Sequence, residues 1–346
     1  MRFLAVAASG GADSLLALGL LQKEGHGVFA IHAHFLPPDD KQQQLADAIA
    51  AQCEAIGVPF QAIDLSDAFR ARVIAPFIAA YVAGETPNPC AACNRDLKFG
   101  LLAEAAISLG ADKIATGHYA GLADTPEGAA LFRGADATRD QSYFLSLVPQ
   151  SALARALFPL ARRKKADNPE ALAALDLAPP LPRESREVCF VPGDDYRAFL
   201  EASGVPLSGP GPIALPDGTI LGAHQGLWRH TIGQRKGLGV GWREPLYVLA
   251  KDAAANTLRV GPKQDLLAAS CRAREVNVLV PPRDWPETVL GQTCYRMAPR
   301  PARAAIAADG SLDIVFEAPL PRPTPGQVAT LYDAAGRVLA GGVIVA

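Results

Sequence analysis

The strongest constraint on this chain is a six-residue turn, Ser9-Gly10-Gly11-Ala12-Asp13-Ser14, between an apolar run from Phe3 to Ala8 and a helical stretch from Asp13 to Lys23. Paired glycines let backbone N–H groups come close to an anion, and the helix that follows turns its positive end toward the same point. Ser9 and Ser14 add hydroxyl donors, and Asp13 has the chemistry to hold a magnesium ion beside a leaving pyrophosphate. The Gly-Lys-Ser/Thr of a Walker loop is missing from this turn, so a different kind of phosphate loop is expected.

The same alternation continues downstream. Apolar runs at Val28 to Phe35 and Val58 to Ile63 flank a helical stretch from Asp39 to Ile56. A helix from Asp96 to Leu109, closed by Gly110, and a strand from Lys113 to Thr116 follow. This βαβαβ order predicts an α/β fold, a Rossmann-like parallel sheet with helices on both faces, over residues 1–203. The Gly/Pro-rich stretch Gly204 to Gly218 cannot sustain a helix and marks a boundary. Beyond it, short β-type runs at Leu246 to Ala250, Thr257 to Val260, Leu312 to Phe316, Val328 to Tyr332 and Val338 to Val345 predict a small central β domain over 204–267 and a C-terminal β-barrel domain over 268–346.

A chain of 346 residues that is 49% hydrophobic can fill the cores of two or three domains. Its 33 basic residues nearly balance 35 acidic ones, so no global positive field advertises a polyanion, and a nucleic acid would have to use local patches. The densest basic run is Arg162-Arg163-Lys164-Lys165. Asp13 and the glycine pair interrupt the apolar N-terminus, and no stretch offers the roughly 18 unbroken apolar residues of a membrane span, so a cytoplasmic protein with no membrane partner is expected.

Six cysteines are too sparse for a disulfide scaffold, and in a reducing compartment paired cysteines point to metal binding or catalysis. The string Thr86-Pro87-Asn88-Pro89-Cys90-Ala91-Ala92-Cys93-Asn94-Arg95 joins a stiff turn to a helix start. A helix N-terminus with Arg95 and Lys98 nearby predicts lowered thiol pKa values, favouring the thiolate that attacks electrophiles or binds metal. His118 is available as a further metal ligand, although a histidine satisfied by its own loop is the simpler expectation.

The Ser-Gly-Gly-x-Asp-Ser string resembles the PP-loop of the N-type ATP pyrophosphatases, which split ATP between its α and β phosphates and adenylate an acceptor. A closer resemblance, to the tRNA-specific 2-thiouridylase family (MnmA), runs through nearly the whole chain. It is carried in order by Ser9 to Ser14, TPNPCAACNRDLKFG from Thr86, ATGHYA from Ala115, RDQSYFL from Arg139, VCFVPGDDYRAFL from Val188, HTIGQRKGLGVG from His230, KDAAANTLRVG from Lys251, TPGQVATLYD from Thr324 and AGGVIV from Ala340.

The resemblance implies a tRNA-uridine 2-sulfurtransferase that uses ATP and magnesium to adenylate the oxygen on carbon 2 of a wobble uridine, then replaces that oxygen with sulfur. Cys189 would carry the sulfur as a persulfide, and Cys93 would be its nucleophilic partner. The sulfur donor would be a sulfur-relay protein, a cysteine desulfurase or inorganic sulfide. Ala7, Ala8, Ser9, Gly10, Gly11, Ala12, Asp13, Ser14, Ala33 and Gly117 would line the nucleotide. Asn88, Pro89 and Cys90 would border a target base flipped out of its stack. Arg139, Asp140, Gln141 and Arg296 would contact the tRNA.

Cys90 departs from the family string, which has Asp there. The change removes a candidate proton-transfer group and opens a second route, in which Cys90, Cys93 and Cys189 together hold a [4Fe–4S] cluster with one iron free for sulfide. A thiolase of another RNA position working through such a cluster, another PP-loop enzyme, and a noncatalytic RNA-binding relative are the alternatives.

Overall fold

Five short parallel strands organise the first half of the chain. They are β1 (Phe3–Ala7), β2 (Gly27–His34), β3 (Phe60–Asp64), β4 (Lys113–Ala115) and, after a hairpin of β5 (Ala120–Thr125) and β6 (Gly128–Arg133), β7 (Ala156–Leu157). Their order is β3-β2-β1-β4-β7, and every pairing is parallel. The computed structural model describes residues 1–181 and 188–345; segment 182–187, inside the first expected domain, and Ala346 lie outside the described residues.

Leu4, Ala5 and Val6 of β1 are all buried, without the alternation of a half-exposed strand, because helices cover both faces of the sheet. One cover is α1 (Ala12–Lys23), whose Leu15, Leu16, Leu18 and Leu21 fill the space between the sheet and Leu172 and Leu177. A Cβ on Gly19 would come within 2.6 Å of a Leu177 methyl, so a larger residue there would push that side chain aside. On the same face lies α2 (Asp40–Ala55), which starts where the Asp39 side chain accepts a hydrogen bond from the Gln42 N–H at 2.8 Å, a cap worth about 1 kcal/mol, while Leu102, Ala103 and Ala106 pack against Ala5 and Ile31 on the other.

From β1 the chain steps outward to β2 and β3, then returns to lay β4 on the other side of β1. Strand order therefore reverses at β1, and a crevice opens at the carboxyl ends of the strands there, the usual ligand position in open α/β sheets. The Ser9–Ser14 turn leaves β1 at that rim.

The helix expected over Asp96 to Leu109 is divided. Asn94–Leu101 is π-helical and only Leu102–Ser108 is α-helical, with Gly110 at φ +95° closing the turn. The irregularity falls at Gly100, whose ψ of -107° is not helical and whose hypothetical Cβ would crowd the Arg95 carbonyl at 3.2 Å. Wide turns of this kind recur at functional sites.

Strands β8 (Gly211–Ala214), β9 (Ile220–His224), β10 (Tyr247–Asp252) and β11 (Thr257–Gly261) form a sheet of order β10-β11-β8-β9 over a core including Ile213, Val248, Leu258 and Val260. Then β12 (Leu267–Val278), β13 (Val289–Gln292), β14 (Arg300–Ile306), β15 (Leu312–Pro321), β16 (Val328–Tyr332) and β17 (Val338–Ile344) close a barrel in the order β12-β15-β14-β13-β16-β17. The α/β sheet followed by a small β domain and a barrel is the fold class expected from the sequence.

The barrel is keyed into segment 142–148 of the first half. Tyr143 donates its hydroxyl to the Val328 carbonyl at 2.9 Å, Thr330 bonds Ser146 at 2.9 Å, and Asn277 donates to the carbonyls of Ser146 and Val148. All of these partners are at least half-buried, where an unmade hydrogen bond is costly.

Because Leu16 is fully buried in a packed cluster, Leu16→Ala is expected to lower unfolding free energy by about 3 kcal/mol, measurable by urea denaturation followed through circular dichroism.

Candidate active site

The nucleotide-type turn is held from three sides. The Ala8 N–H donates to the Ile31 carbonyl at 2.8 Å, while His32 on β2 donates its Nδ1–H to the Ala8 carbonyl at 2.7 Å. Burial and that bond keep His32 in place, with burial lowering its pKa. Ser14 donates to the Gly11 carbonyl at 2.9 Å and stands 3.2 Å from the Ser9 hydroxyl. Gly10 adopts φ +80°, the left-handed region that glycine enters freely. No side chain caps α1, and an uncapped first turn offers N–H groups to an anion.

Gly117 closes the crevice from β4. A Cβ there would lie 2.8 Å from the Asp13 backbone, so the chain after β4 passes directly over the turn. Ala7, Ala8, Ala12 and Ala33 are half-buried along the same rim. Leu181 crosses over as well, its N–H bonding the Gly10 carbonyl at 3.1 Å.

Asp13 is not placed to hold magnesium. Its carboxylate accepts from Lys165 Nζ at 2.7 and 2.8 Å, from the Tyr119 hydroxyl at 2.9 Å and from Asn168 Nδ2 at 2.8 Å. Donors thus fill both oxygens, and Asp13 ties the turn to the segment that follows β7. Lys165, the last residue of the basic run, turns inward. Tyr119, Asn168 and this use of Lys165 escaped the sequence reading because they lie more than 100 residues from Asp13; the ATGHYA string around Tyr119 was the one available signal.

The thiols occupy the neighbouring ground. Asn88 caps the short helix Pro89–Cys93, its Oδ1 accepting from the Ala91 N–H at 3.2 Å, with Pro89 at the first helical position where no N–H is needed. Cys90 and Cys93 are one turn apart. Cys93 is only 8% exposed and packs with Leu97, Phe77, Phe190 and Val191, so the residues just after Cys189 share its core. Cys90 and Cys189 reach solvent.

The expected lowering of thiol pKa is reversed. Burial pushes Cys93 up to about 12, and desolvation by the surrounding protein raises Cys90 and Cys189 too, outweighing the opposing charge of Lys98. Arg95 gives no help, because its guanidinium is engaged by Asp96 at 2.7 Å and by Glu275 of the barrel at 3.5 Å.

Lys98 joins the two halves of the site. Its charge acts on all three thiols and on His118, the residue after Gly117. His118 is buried against Phe99 and Phe158 with Nδ1 2.7 Å from the Thr116 hydroxyl, and burial first, then Lys98, holds its pKa far below the usual value. A neutral, satisfied histidine is the result, not a metal ligand. Among the described residues no group of three His, Cys, Asp or Glu is arranged to hold a metal ion, so Cys90, Cys93 and Cys189 as placed do not form the ligand set of a [4Fe–4S] cluster.

Of the residues expected to meet RNA, Asp140 is consumed internally. It is buried, pairs with Arg133 Nε at 2.9 Å and accepts from Gly134 and Ser142, because it must satisfy the turn after β6. Gln141 accepts from the Tyr119 N–H at 2.9 Å. Arg296 is exposed, and the charges of Arg139 and Arg296 both reach Tyr295, as does Cys90. Tyr295 in turn packs on Phe144 with ring centroids 4.4 Å apart. This aromatic pair beside the thiols was not found from sequence, since its members come from different domains.

Three family domains match the chain in series: a tRNA methyl transferase HUP domain over residues 2–193, a tRNA methyl transferase PRC-barrel domain over 197–262 and an aminomethyltransferase β-barrel domain over 268–344. The chain is 52% identical to the tRNA-specific 2-thiouridylase MnmA of Nitratidesulfovibrio vulgaris strain Miyazaki F, with 99% of each chain covered. The chain belongs to the tRNA-specific 2-thiouridylase family. Other thiouridylases of the same name are similar over comparable spans, at 53% identity in Oleidesulfovibrio alaskensis, covering 99% of this chain and 98% of the relative, and 46% in Lawsonia intracellularis with the same coverage.

Among the described residues no helix is long and apolar enough to cross a membrane.

A thiol with a pKa near 12 gives a distinctive rate profile. Alkylation of Cys93 in the resting protein is expected to keep rising about tenfold per pH unit from pH 8 to beyond pH 10, where an ordinary thiol would level off. Iodoacetamide labelling with peptide mass spectrometry reads this directly.

Proposed function

We propose that this chain is a tRNA-uridine 2-sulfurtransferase that uses ATP to activate the carbonyl at carbon 2 and delivers sulfur through Cys189 and Cys93. The observation carrying this reading is the helical turn that runs on from Cys93, whose Phe99 packs on His118, the residue after Gly117, at 5.7 Å between ring centroids, which supports activation and sulfur delivery at adjoining places.

The Ser9–Ser14 turn and the first turn of α1 supply donors for phosphate oxygens, and Lys165 brings a cation to Asp13 of that turn. Attack of the uridine oxygen on the α-phosphorus of ATP releases pyrophosphate and leaves a carbon 2 with AMP as its leaving group. The terminal sulfur of a Cys189 persulfide then attacks carbon 2 and AMP departs. Cys93 attacks the Cys189 sulfur, breaking the S–S bond, so that sulfur stays on the base and a Cys93–Cys189 disulfide remains for an external thiol to reduce. No step is assigned to magnesium bound by Asp13 or to an iron–sulfur cluster, since the residues as placed fit neither.

In this reading Arg139, Arg296 and the basic residues Arg162 to Lys164 meet tRNA phosphates, and Asn88, Pro89 and Cys90 border the extruded base. The sulfur donor is a persulfide-bearing protein, which passes its outer sulfur to the Cys189 thiolate and leaves as a thiol, and a cytoplasmic location follows from a tRNA substrate.

Purified protein with ATP, magnesium, a persulfide donor and unmodified tRNA is expected to form 2-thiouridine, detected by nucleoside mass spectrometry; tRNA free of thiouridine after such incubation overturns the reading. Cys93→Ser is expected to abolish thiolation by at least about a hundredfold while tRNA-stimulated pyrophosphate release persists. Cys90→Asp, restoring the usual family residue, is expected to retain thiolation within about tenfold, whereas a cluster held by three thiols would be lost with any one of them.

A further inference from the structure

The segment that carries the thiols is gripped from outside its own domain. Glu85 receives both terminal nitrogens of Arg274 on β12, each at 3.1 Å. The Thr86 N–H donates to the Pro325 carbonyl at 2.8 Å. Gln327, one residue before β16, donates through the single nitrogen Nε2 to two successive carbonyls, Thr86 at 2.8 Å and Pro87 at 3.2 Å. Three consecutive residues, 85 to 87, are thus held by the barrel, and the next, Asn88, caps the helix of Cys90 and Cys93.

Chemistry explains why the grip is needed. Pro87 and Pro89 have no N–H, so of residues 87 to 89 only Asn88 carries a backbone donor, and the strip leading into the helix has few bonds of its own to fix it. The barrel turn is shaped to come close. Gly326 adopts φ +90°, and a Cβ there would lie 2.9 Å from the Thr86 carbonyl carbon and oxygen. The turn is itself rigid, since Gly326 N–H bonds the Ile344 carbonyl and Ile344 N–H bonds the Gln327 carbonyl. The contact continues into the helix, because Val328 of β16 shares a buried cluster with Ala91, between the two cysteines, and with Tyr143 and Leu147.

We propose that Gln327 is a positioning residue for sulfur transfer: its side-chain amide, with the Arg274–Glu85 pair beside it, fixes the strip 85–88 and through it the orientation of the helix bearing Cys90 and Cys93. The barrel is then a working wall of the thiol site as well as a surface for RNA. The proposal rests on the sulfurtransferase reading for its link to activity, but not for the geometry it asserts.

Gln327→Met keeps the length and packing of the side chain while removing both hydrogen bonds, and it is the variant to test. In the resting protein, alkylation of Cys93 is expected to rise about fivefold over wild type, while Cys53, only 1% exposed, stays unreactive and reports an intact fold. In turnover, kcat for thiouridine formation is expected to fall at least about tenfold with KM for tRNA changed by less than about threefold, as a misplaced reacting group costs rate more than binding.

Unchanged Cys93 labelling overturns the proposal. So does a loss confined to KM, which would make Gln327 a tRNA contact instead. Should Cys53 become reactive in Gln327→Met, Arg274→Gln decides, since it loosens the same strip through a partly exposed pair that contributes little to stability. It is expected to raise Cys93 labelling about twofold, and no rise overturns the proposal. If the wild-type protein makes no thiouridine, the sulfurtransferase reading falls, and the labelling experiment alone still decides whether the barrel orients the helix.

Discussion

Everything at the site depends on β1 being paired in parallel on both sides. A strand so enclosed must release its chain at the rim of the sheet, and its two neighbours, β2 and β4, run in the same direction and release theirs at the same rim. That is why His32 reaches the Ala8 carbonyl and why Gly117 passes over Asp13. Shift β1 by one residue and its buried side chains would change faces, so the register that fills the core also aims the phosphate-type turn.

The first half of the fold was legible because its signals are local. Apolar runs bounded by glycine, an aspartate placed to cap α2 and a glycine pair after β1 each specify their element within a few residues. The divided helix after Cys93 was not legible, because Gly100 is compatible with an α-helix on paper and takes its unusual dihedral angles only in context. A C-terminal barrel was expected and β15, β16 and β17 stood out as runs, but β12, β13 and β14 did not, nor did the pairing of β12 with β17 across more than sixty residues.

The site divides in the same way. Turn, thiols and Gly117 stand out as strings in the sequence, whereas their partners Lys165, Tyr119, Asn168, Tyr295 and Gln327 arrive from distant segments. The error about thiol acidity has a definite cause. Sequence shows which charges lie nearby but not how much solvent is excluded, and around Cys93 the aromatic cluster of Phe69, Phe77 and Phe190 outweighs one lysine. At neutral pH such a sulfur rests protonated, which spares it from adventitious oxidants until a substrate alters its surroundings.

Leu181 bonds the Gly10 carbonyl, and Cys189 follows eight residues later. Even a fully stretched tether of that length spans no more than about 28 Å. While Leu181 keeps its hold, Cys189 is leashed to the Ser9–Ser14 turn. Any molecule that reacts with the Cys189 thiol has to come within that radius of the turn.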